Sequence, residues 1–273
     1  MQLTFMPKNI KTKQDDFGEL SPLLLFVILL FFITSCTTTN QLNNSLSSLE
    51  IKTGNKSTGT GFLFSLSDYV ITSYHVVHGS KSISIRLTNG EKIDATITVQ
   101  DTHNDIAILK LSQPPTSRQN IITLGDSNSV KTGDRVFTYG FPLVGLLGNG
   151  EPRYSEGFVS SLSGISNDPR LFQVSIPIQP GNSGGPVFNE KGELIGIATS
   201  SIDADKTKKE FGSSPQNVNF AIKSSYVNSL LTNLPDTFIK HKGIVPVPIE
   251  KSSFKERVKN DIVLVEVVPQ NQS

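Results

Sequence analysis

Cysteine is almost absent from this 273-residue chain, in which Cys36 is the only one. A lone cysteine excludes an intramolecular disulfide framework and a cysteine-built metal cluster, so stability has to come from packing. An excess of charge of one sign is lacking too. Twenty-five Lys and Arg stand against 24 Asp and Glu, a formal net charge of +1 without long basic blocks, which removes the electrostatic footprint of a nucleic-acid-binding protein. Nucleic acid is therefore not an expected partner. Long apolar runs are missing apart from "PLLLFVILLFFI", Pro22 to Ile33. Its 12 residues fall short of the roughly 20 that a spanning helix needs and suit the apolar centre of a secretory signal.

What is present is an ordinary globular balance, 36% hydrophobic and 18% charged, with 21 Gly and 15 Pro set among Val, Ile, Thr and Phe. Many short strands joined by turns are expected, hence an all-β fold. Lys8, Lys11 and Lys13 supply the positive charge expected ahead of a signal, although Asp15, Asp16 and Glu19 lie closer to the apolar run. Ile33, Thr34, Ser35 and Cys36 resemble a bacterial lipobox, which implies that Cys36 is the lipid attachment site and the first residue of the mature chain. Residues 1–35 are then a lipoprotein-type signal and the protein belongs to the bacterial cell envelope, anchored to a membrane. An uncleaved anchor and an ordinary signal with an incidental cysteine are the alternatives. Residues 36–50, rich in Thr, Asn, Ser and Gln, read as a flexible stalk.

From Ile51 short apolar stretches alternate with turn residues. In "SISIRLTNGEKIDATITV" the alternation of Ile83, Ile85 and Leu87, then Asn89-Gly90, then Ile93, Ala95 and Ile97 predicts a hairpin with a two-residue turn. Pro114 and Pro115 open a polar break, giving a first β unit over 51–120 and a second over 121–238. The second closes with a helix starting near Ser224, capped by its serines, with Tyr226, Val227, Leu230 and Leu231 on one face. The segment between "GELIGIATS" and "VNFAI" reads as a surface loop, and 239–273 as a tail too short for a further domain.

One turn carries a chemical question. "PGNSGGPV" sets Ser183 among glycines, either as a tight turn that happens to hold a hydroxyl or as a nucleophile. A serine hydroxyl attacks only if a base takes its proton, and the base needs a third group to fix its tautomer and stabilise its charge. Among four histidines, His75 in "VITSYHVVHG" follows a strand-like approach, while His78 and His103 read as loop residues and His241 lies in the tail. Among the acids, Asp105 abuts the apolar strand "IAILKL", and Asp101, the runner-up, sits in a polar turn. The order His, Asp, Ser differs from those of α/β-hydrolases and subtilisins.

The segments "TSYHVVHG", "HNDIAILKL", "LGDSNSVKTGDRVFTYGFP" and "QPGNSGGPVFNEKGELIGIATS" together resemble the trypsin-like serine peptidases of the HtrA/Deg type, over about Gly59 to Leu231. The resemblance implies two six-stranded antiparallel β-barrels with the active site between them. It makes Ser183 the nucleophile, His75 the general base and Asp105 its orienting acid, with the backbone amides of Gly181 and Ser183 as the oxyanion hole. No metal or organic cofactor is expected. Six positions before the nucleophile, where trypsin-like enzymes place the base of the primary pocket, stands Pro177; Ala198, Thr199, Ser200 and Phe220 are the expected walls, and small or medium apolar residues the expected preference. The strand near Thr199 is expected to pair with the substrate backbone.

The sequence also departs from the resemblance. The tail leaves no room for the PDZ domain many such peptidases carry, "TTTNQLNNSLSSLE" lacks the aromatic residues common at trimer contacts, and Ser175 replaces an aspartate in the strand before the glycine turn. No oligomeric state is fixed by these features. The expected activity is hydrolysis of unfolded or extended envelope polypeptides through an acyl-enzyme. A catalytically idle peptide-binding lipoprotein, holdase-like or adhesin-like, is the rival from another class, and an esterase is a second.

Overall fold

The computed structural model describes residues 57–64, 68–116, 122–199, 218–234, 254, 256 and 258–270. Cys36, the stretches read as signal and stalk, the loop containing Ser200, and His241 lie outside the described residues. Two closed antiparallel barrels of six strands each make up the fold. In the first, β1 (Ser57–Leu63), β2 (Tyr69–Ser73), β3 (Ser80–Arg86), β4 (Lys92–Asp101) and β5 (Ile106–Leu111) are joined by β13 (Ile262–Pro269), in the order β1-β13-β3-β4-β5-β2. The second consists of β7 (Arg135–Gly140), β8 (Arg153–Ser161), β9 (Leu171–Val174), β10 (Pro186–Asn189), β11 (Glu193–Thr199) and β12 (Asn219–Lys223), closed by the pairing of β10 with β11. A two-residue strand, β6 (Thr123–Leu124), adds in parallel to β11 outside the ring. The first barrel thus draws its sixth strand from well beyond residue 120.

Period-two alternation explains how the barrels stick together. Successive strand residues face opposite sides, so Ala107, Leu109 and Leu111 of β5 and Val263, Val265 and Val267 of β13 fill the first barrel. Their neighbours Ile106, Ile108, Ile262 and Leu264 face outward into a second apolar layer shared with Phe137, Phe188 and Ile222 of the other barrel. Val136, Val159, Phe172, Val174 and Ile195 form the interior of the second barrel. The inter-barrel layer is therefore as buried as either interior.

Three expectations need correction. The stretch read as a tail supplies β13, because "DIVLVEVV" has apolar residues on both faces and finds both faces covered, between β1 and β3. The β3–β4 hairpin forms, but with Ile83 opposite Ala95 and Ile85 opposite Ile93, one residue off the register that a two-residue turn at Asn89-Gly90 sets. Its turn spans three residues instead of two: the Leu87 amide donates to Glu91 O at 2.9 Å, and of the three only Gly90 takes a positive φ, +88°. That is a type I turn followed by a left-handed glycine, which keeps strand twist with one glycine. The closing helix, α2 (Ser224–Leu231), buries Val227, Leu230 and Leu231. Its serines do not cap it; the Ser225 amide donates instead to Ser127 Oγ, 3.2 Å away, a residue distant in sequence.

Candidate active site

Two short peptide features bring the expected residues to the groove. Strand β2 ends at Ser73 and the chain turns at once into α1 (Tyr74–Val77), which sets His75 on its first turn with Val76 and Val77 buried beneath it. Across from it the turn between β4 and β5 carries Asp105 in a left-handed conformation, φ 54°, tolerated by aspartate better than by most residues. Asp101 builds that turn: its Oδ1 accepts from the amides of His103 at 3.0 Å and Asn104 at 2.9 Å, and its Oδ2 from Asn104 Nδ2 at 2.6 Å. Burial pushes the Asp101 pKa up, but the hydrogen bonds from Asn104 and His103 outweigh it and hold the group below its ordinary value. Asp101 is spent on the turn, and Asp105 is the acid that reaches the histidine.

The Asp105 carboxylate grips His75 twice. Oδ1 accepts from the His75 amide at 2.8 Å and Oδ2 meets His75 Nδ1 at 2.7 Å. With Nδ1–H donated to a carboxylate, Nε2 is left as the lone-pair nitrogen, directed away from the acid. Thr199 Oγ1 donates to the same Oδ2 at 3.5 Å, from the end of β11. The imidazole side chain is 47% exposed against 28% for the carboxylate, so the base meets solvent while its partner is sheltered. A cleft of about 310 Å³ opens beside the pair, lined by His75, Asp105, Arg170, Leu171 and Thr199 among others. Arg170 at its rim is held by Asp168 through Nη2 at 2.6 Å, and donates through Nη1 to His103 O.

The glycine turn leans on the first barrel. A Cβ on Gly184, whose φ is +87°, would fall 2.2 Å from Thr60 O, 2.3 Å from Thr72 Oγ1 and 2.8 Å from Ser73 N. Only glycine fits, and the contact puts the residue after Ser183 against the last residue of the strand that delivers His75. Gly181, φ +98°, is confined in the same way by Phe141 O, 2.3 Å from where a Cβ would stand. Within the turn the Asn182 amide donates to Gln179 O, that of Gly184 to Ala198 O, and that of Gly185 to Asn182 O, at 2.9, 2.9 and 3.0 Å. Among the described residues nothing accepts from the amides of Gly181 or Ser183. Two unused donors two residues apart can bind one anionic oxygen. The Ser183 side chain is nearly buried, 6% exposed, and among the described residues its hydroxyl makes no hydrogen bond, His75 included.

The expected pocket residues have mixed placements. Ala198 is fully buried and Phe220 3% exposed, so neither side chain offers surface in this arrangement. The Ala198 backbone holds the turn instead, exchanging hydrogen bonds with Gly184 and Gly185. Pro177 is exposed between buried Ile176 and Ile178. Ser175 takes a structural post: its Oγ accepts from the Phe158 amide at 2.9 Å, beside β8. Sequence reasoning missed Thr60, whose hydroxyl donates to Gly181 O at 2.6 Å and accepts from the Phe141 amide at 2.9 Å. The available signal was a polar residue between two glycines, Gly59 and Gly61, just ahead of the apolar end of its strand, Phe62 and Leu63.

A family model described as a trypsin-like peptidase domain matches residues 59–197. The chain is 34% identical over 175 residues to an uncharacterised protein, y4bJ, of Sinorhizobium fredii, covering 64% of this chain and 27% of that protein. It is 31% identical over 190 residues to the serine protease Do-like HtrA of Lactococcus lactis, covering 65% and 45%. With a probable periplasmic serine endoprotease, DegP-like, of Halomonas elongata it shares 37% over 149 residues, covering 52% and 29%. These matches span less than half the length of each of the three relatives.

Proposed function

This chain belongs to the trypsin-like peptidase family, and from that premise we propose that it is a serine endopeptidase working through an acyl-enzyme, with Ser183 as nucleophile. His75 Nε2 takes the proton as Ser183 Oγ attacks the carbonyl carbon of the scissile peptide. The carbonyl oxygen becomes an alkoxide and turns to the amides of Gly181 and Ser183. Each such donor supplies about 3 kcal/mol of transition-state stabilisation. The imidazolium, held by Asp105, then gives its proton to the departing amine as the C–N bond breaks, leaving an ester on Ser183. Water repeats the sequence to release the acid and restore the hydroxyl. Asp105 keeps the proton on Nδ1 throughout, so the lone pair faces the serine at the start of each half-cycle.

The observation that carries this reading is the pairing of an acid-held imidazole with a turn whose unused amides are those of Gly181 and Ser183, packed together at Ser73 and Gly184. A substrate strand lying near Thr199, with Pro177 close to the primary pocket, fits cleavage after small or medium apolar residues. Extended polypeptides in an extracytoplasmic compartment are the substrates; the likeness to a DegP-like protein named as periplasmic supports that location, and a lipid on Cys36 provides the anchor. Casein hydrolysis by purified Ser183→Ala falls by about 10⁶-fold with the circular dichroism spectrum unchanged. Substantial turnover by that variant would count decisively against the assignment. A fluorophosphonate probe labels the wild type at Ser183, whereas an idle peptide-binding protein leaves the probe unreacted.

A further inference from the structure

All four carbonyls from Pro180 to Ser183 are engaged. Leu143 N donates to Pro180 O at 2.8 Å, Gly185 N to Asn182 O at 3.0 Å, and Thr60 N to Ser183 O at 2.9 Å. Gly181 O accepts from Thr60 Oγ1 at 2.6 Å. Thr60 thus supplies two of these anchors, and it stands in β1, on the first barrel, whereas the turn belongs to the second. It is completely buried, and its own carbonyl is held by Thr72 Oγ1 at 2.7 Å. The direction of its hydroxyl follows from its partners. The Phe141 amide can only donate, so it occupies a lone pair of Oγ1, and the one hydroxyl proton is left for Gly181 O.

We propose that Thr60 is a positioning residue for catalysis, a hydroxyl clamp by which the first barrel holds the oxyanion-binding turn of the second in its competent shape. The inference rests on the peptidase reading above. Because the peptide is trans, Pro180 O facing Leu143 aims the Gly181 N–H the opposite way. A glycine has wide rotational freedom on both sides of its α-carbon. Fixing Pro180 O restrains one side of Gly181; fixing Gly181 O restrains the other. Without the hydroxyl the second restraint disappears, and both Gly181 O and the buried Phe141 amide lose their partner. Thr60 touches neither substrate nor reacting atoms, so it acts through where Gly181 N points.

The test compares Thr60→Val, which keeps the branched shape without the hydroxyl, with Thr60→Ser, which keeps the hydroxyl. The probes are a fluorogenic casein-derived peptide, its aldehyde analogue, and the same peptide with a reduced CH₂–NH scissile bond. In Thr60→Val, kcat falls by about 10²-fold with KM nearly unchanged, as a misaimed donor requires. Affinity for the aldehyde, whose hemiacetal oxygen uses the hole, falls in parallel, while the reduced peptide, which has no such oxygen, binds as before. Thr60→Ser behaves like the wild type. Equal weakening toward both analogues, or a serine variant as impaired as the valine variant, overturns the clamp. Hydrogen exchange decides the matter if Thr60→Val does not fold: the Phe141 amide of the wild type is protected if Thr60 Oγ1 holds it, and rapid exchange overturns the proposal. Wild type that resists the fluorophosphonate defeats the peptidase reading instead, and leaves the exchange result to judge the clamp.

Discussion

Five strands of the first barrel lie between Ser57 and Leu111 and its sixth arrives from Ile262–Pro269, whereas β7 to β12 of the second follow one another from Arg135 to Lys223. The discontinuous barrel carries His75 and Asp105 and sends Thr60 across to the glycine turn. The continuous one carries that turn. Closing a loop costs free energy that grows slowly with its length, so a long detour is tolerable if the returning strand buries enough. Here it does. Ile262, Val263, Leu264, Val265 and Val267 are each at most 2% exposed. At about 1.5–3 kcal/mol apiece, an upper estimate, they contribute roughly 7–15 kcal/mol, as much as the net stability of a whole domain. The comparison teaches that the half bearing His75 and Asp105 is the half most dependent on a remote strand.

Removing that strand is the harshest way to break the comparison. A chain stopped after residue 261 loses first-barrel amide protection and reacts with fluorophosphonate below detection, and a synthetic peptide of residues 258–270 restores part of the labelling. Labelling at the wild-type rate without the peptide would show that five strands suffice. A milder test asks whether the turn is shaped by its own barrel or by the other. Gly184→Ala places a methyl group against Thr60 O and Thr72 Oγ1 and strains a positive φ, costing about 2–5 kcal/mol and roughly 5–15 °C in Tm. Gly133→Ala has a similar φ, +92°, but nothing within 4 Å, and costs about 1 kcal/mol. Equal losses in thermal melts would assign the whole effect to backbone strain and none to the contact between barrels.

The smallest effect concerns the charge that pins β13. Glu266 Oε1 accepts from Arg86 Nη2 of β3 at 3.0 Å, and Oε2 pairs with Lys92 Nζ of β4 at 2.8 Å. Burial pushes its pKa up, but the hydrogen bonds from Lys92 and Arg86 and their charges outweigh it, and the folded value lies below the ordinary 4.5. A lowered folded pKa means that the contribution is complete above the unfolded value and is lost as pH falls through the folded one. Wild type therefore melts about 1–4 °C above Glu266→Gln at pH 7, and the gap closes on acidification below about pH 4. A gap that persists unchanged at pH 3 would mean that the carboxylate charge is not what holds the strand.

Legibility from sequence followed the range of the physical signal. The β3–β4 hairpin, though not its turn length, and the apolar face of α2 are local patterns, and each could be read within a window of some 20 residues. Strand β13 could not. Its partner Arg86 lies 180 residues from Glu266, no turn signal joins the two, and a run apolar on both faces looks the same in a core strand as in a short buried helix. At the site, His75 and Asp105 were legible because each stands at the mouth of a recognisable strand, and the structure brings them together. Thr60 escaped because its role belongs to contacts 81 and 121 residues away, with Phe141 and Gly181. The buried posts of Ala198 and Phe220 escaped because strand alternation does not say which face of β11 or β12 meets the groove.

Placing β13 between β1 and β3 makes translation order and arming order diverge. When residue 234 has left the ribosome the second barrel is entire, while the half with the imidazole still has an open seam along β1 and β3. The barrel holding His75 is closed by residues synthesised only after the other barrel is complete, so a chain stalled or clipped before Ile262 carries Ser183 without the strand that closes the ring around its neighbour.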